Sequence, residues 1–245
     1  MNLNNKIIIV TGGSGLLGKS IIDDIVRKGG TAVNADIMHK TDLQNNLLFF
    51  DITDEKSVSE GIDLVFSHFG KICGLVNNAY PRTKDWGNKF ENVSSISWKK
   101  NVDMQLNSHF VCCQKTLEVM KKQGFGSIVN IASIYGVVGN DFSLYEDYNG
   151  TSPAAYSAIK GGIINFSRYL ASYFGKNNIR VNCVSPGGIK DNQPLSFINK
   201  YEKKVPIGRM ASPSDISPGI SFLLSDESKY ITGHNLIIDG GWTSI

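Results

Sequence analysis

The sequence has no apolar run close to the ~20 residues that a membrane-spanning helix needs. It has no dense run of Lys or Arg either, and its net charge is only +3. The first absence predicts a chain that does not enter a membrane. The second makes nucleic acid a poor partner, because phosphate backbones are held by clustered cations. Cysteine is scarce. Cys73, Cys112, Cys113 and Cys183 show neither a CxxC pair nor Cys/His metal-ligand spacing. They read as small buried apolar residues in a reducing compartment, with no metal site expected. The polar start MNLNNK leads straight into a four-residue apolar run and lacks the pattern of a secretory leader. The expected location is the cytoplasm.

Glycine, by contrast, is plentiful at 25 of 245 residues. That suits tight turns and close approach of backbone to a ligand. Short apolar runs alternate with longer segments of helical period. The strand candidates are KIIIV, TAVNAD, LLFFD, ICGLVNN, SIVNIA, IRVNCVS and NLIID. Continuous rather than alternating apolar runs fit parallel strands buried on both faces. Helical stripes are expected near 17–28, and at Glu55–His68, Ile96–Lys122, Ala154–Phe174 and Pro213–Leu224. The fold class is therefore α/β: a doubly wound parallel sheet of Rossmann type, about seven strands, with helices on both faces. No linker or repeat interrupts residues 1–245, so one domain is expected. Residues 136–152 and 191–206 read as long polar loops following strand ends, where open α/β sheets bind ligands.

Between the first strand and first helix lies TGGSGLLG, Thr11–Gly18. Gly12, Ser14, Gly15, Leu17 and Gly18 suit a turn that brings backbone N–H groups and a helix N-terminus to a pyrophosphate. The second strand ends at Asp36, whose carboxylate can accept both hydroxyls of an adenosine ribose. It would also repel a 2′-phosphate, by ~4 kcal/mol for unit charges ~4 Å apart at a surface-like dielectric. No Arg or Lys in the turn or directly after Asp36 offsets this, so NAD is preferred over NADP. A plain glycine turn and a solvated strand-end Asp are the alternatives.

YSAIK places Tyr156 and Lys160 one helical turn apart on one face. A phenol is a poor base at neutral pH, but a cation ~5 Å away offers ~3 kcal/mol, about two pKa units, at a dielectric of ~20. Tyr156 then suits proton exchange with a hydroxyl or carbonyl during hydride transfer. Ser133 ends a strand and suits a hydrogen bond to the same oxygen. Tyr80 and Lys84 share the spacing, but Pro81 makes that segment a loop.

With these residues, the chain resembles the single-domain short-chain dehydrogenase/reductase family over essentially its whole length. The resemblance implies catalytic roles for Ser133, Tyr156 and Lys160, with the lysine also holding the nicotinamide ribose. It implies cofactor contacts from Asp36 and Ile37, from Asp51 and Ile52 at the adenine, from Asn78, Ala79 and Tyr80, and from Pro186, Gly187, Gly188 and Ile189. Three departures stand out. The family's NNAG is NNAY here, which puts Tyr80 beside the nicotinamide. Its fourth catalytic position, an Asn whose main-chain carbonyl holds a relay water, falls on Gln105. The threonine expected after PGGI is Asp191.

NNAYPRTKDWG, the long acidic loop and SPGGIKDNQP together resemble a narrower branch of bacterial oxidoreductases linked to flagellin modification and surface-sugar biosynthesis. That implies a secondary alcohol/ketone interconversion on a carbohydrate-derived small molecule, in a homodimer or homotetramer. Arg82, Lys84 and Tyr135 are the candidate substrate residues; Arg82 and Lys84 suit a phosphate or carboxylate. Two other readings remain: reduction of an oxoacyl or other small carbonyl, and an inactive NAD-binding subunit or sensor.

Overall fold

A computed structural model describes residues 1–147 and 150–245. Tyr148 and Asn149, inside the expected 136–152 loop, lie outside the described residues. Among the described residues seven parallel strands form one sheet in the order β3-β2-β1-β4-β5-β6-β7. They are β1 (Ile7–Thr11), β2 (Thr31–Asp36), β3 (Leu47–Phe49), β4 (Gly74–Asn77), β5 (Gly126–Ile131), β6 (Ile179–Pro186) and β7 (Asn235–Ile238). The order reverses between β1 and β4. The crevice that opens there, at the carboxyl ends of the strands, is where such sheets bind ligands.

The continuous apolar runs are explained by what covers them. Ile7 and Ile9 of β1 pack in one core cluster with Val58, Ile62, Leu117 and Leu170. Those residues come from α2 (Glu55–Phe69), α4 (Ser108–Gln123) and α5 (Ala154–Phe174). Ile8 and Val10, pointing the other way, join Ile21, Ile25, Ile216 and Ile220. These belong to α1 (Leu16–Arg27) and α7 (Pro213–Leu224). A strand apolar on both faces is thus sandwiched between two helical layers, as the sequence implied.

Two expectations need correction. The helix expected over Ile96–Lys122 is not continuous. It comprises α3 (Ser95–Val102), a π-helical turn (Asp103–Asn107) and α4. One wide turn of this kind inserts a single residue, which a period of 3.6 does not reveal. The stretch 191–206 is not a loop throughout: Leu195–Lys204 forms α6. Its buried side is Phe197, Ile198 and Tyr201. Lysines crowd that window and mask the stripe. Residues 136–147, by contrast, hold only short 3₁₀ turns.

One buried charge joins α1 to α7. Asp24 is 1% exposed and accepts from Ser221 Oγ at 2.5 Å, and from Arg27 and Lys28 at the end of its own helix. Burial pushes its carboxyl up, but hydrogen bonds from Lys28, Ser221 and Arg27 outweigh that and hold it below the usual range. A carboxylate with a depressed folded pKa stabilises the fold above its unfolded pKa, and this is lost as pH falls through the folded value. Asp24→Ala strands Lys28 and Ser221. It should cost about 3 kcal/mol in chemical denaturation at pH 7, and much less once the pH falls below the folded pKa. An equal cost at both extremes would contradict the ionic account.

Candidate active site

The glycine turn is built around close backbone contacts. Gly12 has φ +62°, in the left-handed region, and a Cβ on Gly18 would lie 2.2 Å from the Gly12 carbonyl. Asn78 holds the turn from the neighbouring strand end, its side chain donating to the carbonyls of Thr11 and Gly12 at 3.0 and 3.1 Å. No side chain caps the N-terminus of α1, whose cap position is Gly15. A Cβ at Gly15 would meet nothing tighter than the Gly12 carbonyl at 3.3 Å. The first N–H groups of α1 meet no capping side chain, and a dinucleotide's pyrophosphate fits this arrangement.

Asp36 sits beside the turn. Its Oδ2 accepts from Ser14 N at 3.1 Å and its Oδ1 from Met38 N at 3.0 Å. A carboxylate has about four acceptor sites, so capacity remains for ribose hydroxyls. His39, not singled out in the sequence, adds a second brace: its Nε2 lies 2.7 Å from Ser14 Oγ and 3.0 Å from Asn34 Nδ2. A cavity of ≈ 220 Å³ is lined by Gly12, Asp36, Ile37, Asp51, Ile52 and Tyr80, among others. Candidates from four separate segments thus converge. Asp51 is partly engaged, accepting from Thr53 N and Oγ1 at 2.9 and 2.7 Å.

A larger cavity, ≈ 360 Å³, lies beside it, and Tyr80 lines both. Leu17, Asn78, Ser133, Tyr135, Tyr156, Lys160 and the Pro186–Ile189 segment all contribute to its wall. Ser133 follows β5, and Tyr156 and Lys160 lie in the first two turns of α5. Lys160 is 6% exposed, and its Nζ donates to the Ile131 carbonyl at 2.8 Å. That Nζ lies 5.6 Å from the centroid of the Tyr156 ring and 5.5 Å from that of Tyr80. Desolvation pushes the Tyr156 phenol up, and the Ser133 hydroxyl pulls part of this back. Burial also pushes Lys160 down, to about 8. The expected net lowering of Tyr156 by two units is therefore not found in the chain by itself. Low-dielectric surroundings penalise the charged form of each group.

The segment Pro186–Ile189 is held from behind by α6. Tyr201 Oη accepts from Gly188 N at 2.6 Å, and a Cβ on Gly188 would press on the Tyr201 ring at 2.8 Å. Glycine is required there by packing.

The chain matches a family profile described as enoyl-(acyl carrier protein) reductase over residues 21–243. It belongs to the short-chain dehydrogenase/reductase family. A post-translational flagellin modification protein A from Campylobacter coli is 38% identical, covering 98% of this chain and 99% of that protein. A 7alpha-hydroxysteroid dehydrogenase from Bacteroides fragilis is 34% identical, covering 98% and 95%. Among solved structures, a short chain dehydrogenase from Leptospira borgpetersenii with bound NAD+ is 36% identical. The match covers 99% of this chain and 94% of that one, with a TM-score of 0.89. The chain is thus an oxidoreductase of the kind that acts on CH–OH groups.

Not every candidate of this dehydrogenase/reductase meets the cavity. Gln105 is 1% exposed in the π-helical turn, and its main-chain carbonyl lies 2.8 Å from His109 Nδ1. It is not among the lining residues. Arg82 and Lys84 line neither cavity, although the Arg82 guanidinium lies 5.7 Å from the Tyr80 ring centroid. Asp191 is exposed and turned into its own loop, with Oδ1 accepting from Asn192. Residues the sequence reading missed include Tyr145, Gln193, Phe197, Tyr201 and Met210 of the larger cavity. The spacing of Phe197 and Tyr201, four apart, was the one available signal.

The long acidic loop is clasped to α6. Lys200 pairs with Glu146 and Asp147 and donates to the Ser143 carbonyl at 3.0 Å, while Lys204 bonds Asp141 and Ser143. Surface pairs of this kind are individually weak and screened by salt. The double variant Lys200→Ala/Lys204→Ala should therefore speed amide hydrogen exchange in 141–147 about five-fold at low salt, and less at about 1 M salt. Unchanged exchange would mean that packing of Leu144 alone holds the loop.

Proposed function

We propose an NAD-dependent dehydrogenase or ketoreductase that interconverts a secondary alcohol and a ketone on a carbohydrate-derived substrate. The observation that carries this is the convergence of Ser133, Tyr156 and Lys160 on one wall of a cavity that shares Tyr80 with the Asp36 pocket. The nicotinamide cofactor, when bound, supplies hydride exchange at the substrate carbon. Tyr156 Oη exchanges the proton with the substrate oxygen. Ser133 Oγ donates a hydrogen bond to that oxygen and orients it. Lys160, mostly protonated below about 8, favours the phenolate and offers donors to a ribose.

Asp36 supports NAD over NADP. Its carboxylate is 8% exposed and fixed by two backbone N–H groups, so it does not swing away from a 2′-phosphate. The sugar-derived substrate is supported by the flagellin modification relative. It is also supported by a wall rich in tyrosine, including Tyr80, Tyr135, Tyr145 and Tyr201, which offers ring faces and hydroxyls together. Tyr135 is kept as a substrate residue. Arg82, against the Tyr80 ring, and Lys84, two residues further along the same loop, are the proposed anchors for a substrate phosphate or carboxylate. Residues 136–152 with α6 form the proposed substrate loops of one domain. Gln105 is proposed to serve at the fourth catalytic position through its main-chain carbonyl, as a holder of the relay water. A homodimer or homotetramer through α4 and α5 is supported by exposed Phe110, Tyr169 and Tyr173 on those helices. The cytoplasm is the proposed location.

Two measurements test this. Tyr156→Phe should bind NAD with affinity close to the parent while turnover falls about 10²–10⁴-fold; near-parental turnover would remove the proton-transfer role. Cofactor titration by fluorescence should show NAD binding at least about ten-fold tighter than NADP, with Asp36→Ala narrowing the gap. Tighter binding of NADP to the parent would refute the assignment of Asp36.

A further inference from the structure

Lys160 is an unusual buried charge. Among the described residues no carboxylate forms an ion pair with it, and its Nζ has the Ile131 carbonyl as a hydrogen-bond acceptor at 2.8 Å. An ammonium carries three donors, so one carbonyl leaves most of its charge to be met in other ways. The titratable groups around it come from several elements. Cys183 of β6 and His109 of α4 both act on it electrostatically. Burial drives the Cys183 thiol up to about 11 and the His109 imidazole down to about 4, so both are neutral at physiological pH. Tyr156 of its own helix is a neutral phenol whose own ionisation is opposed by burial. Arg82, beyond Tyr80, adds a like charge. None of these supplies an anion.

What remains is two ring faces, with Tyr80 at 5.5 Å and Tyr156 at 5.6 Å from Nζ, inside the ~6 Å range of cation–π attraction. The Tyr80 ring is itself fixed in place. It packs edge-to-face on Tyr156 at 5.8 Å and on Trp86 at 5.9 Å. It stands between the two cavities and lines both.

We propose that Tyr80 is a positioning residue for the proton-transfer pair: its ring holds the Lys160 ammonium beside Tyr156 and favours its charged form. This rests on the reading of Tyr156 and Lys160 as that pair, and it gives the bulky residue that replaces a glycine in NNAY a specific task. The ring compensates in part for the missing carboxylate. It does so without adding an anion, which would compete with the substrate oxygen for the lysine's influence on Tyr156.

The test reads Lys160 directly, with neither cofactor nor substrate, so it is independent of whether Tyr156→Phe loses turnover. Protein labelled with 13C-lysine is titrated by NMR, and the Lys160 signal is the one absent from Lys160→Met. Tyr80→Phe keeps the ring and should titrate with the parent. Tyr80→Leu keeps an apolar side chain without a π face, and its midpoint should fall by about half to one pH unit. The same fall should persist in an Arg82→Ala background. The proposal is overturned if Tyr80→Leu leaves the midpoint unchanged, or if Tyr80→Phe falls as far. It is equally overturned if the midpoint rises, because the ring would then be acting as a plug against water. Loss of the shift in Arg82→Ala would reassign the effect to the guanidinium and also sink the idea.

Discussion

A lysine ammonium held in a nearly water-free place constrains the whole site. Lys160 has no acidic partner among the described residues, so its charge is sustained by a carbonyl at the end of β5 and by two aromatic rings. Leaving a charge so poorly compensated is costly. The fold meets that cost with rigid elements: Ile131 is fixed in the sheet by its partner Val184, and α5 packs on β6. Softening either would let the ammonium find water and lose its influence on the phenol one turn away.

The cofactor end follows a different physical logic. There the work is done by backbone groups rather than by charge: a left-handed Gly12, a Gly18 with no space for a side chain, and an uncapped helix N-terminus. Asp36 supplies the charge beside the turn, and its two backbone donors fix where it points. Tyr80 joins the two ends. It lines the wall of each cavity, close to both the turn residue Gly12 and Tyr156.

Much of this arrangement is legible in the order of the residues. Gly12, Asp36, Asp51 and Tyr80 are scattered over four segments, yet their motifs point to one cofactor and they line one pocket. The reason is that a parallel sheet delivers every strand end to one edge, so residues just after strands meet regardless of sequence distance. The illegible parts are those where one residue changes the register or composition hides the period. The π-helical turn at Asp103–Asn107 breaks a helix that the apolar stripe runs straight through. Lysines conceal α6, and with it Tyr201, whose hydroxyl holds Gly188 N. His39 carries no motif; it matters only because β2 and the glycine turn bring Ser14 and Asn34 to it.

The sequence by itself determined the alternation of strand and helix, the glycine turn, the acidic strand end and the Tyr156–Lys160 spacing, because each is a local pattern with a fixed period or offset. The tertiary structure alone decided the direction in which Tyr156 and Lys160 titrate, since desolvation depends on what surrounds a group and not on its neighbours in the chain. It also decided that the Arg82 guanidinium lies against the Tyr80 ring and not in the cavity wall. A contact between two loop side chains is set by packing, and no spacing rule encodes it.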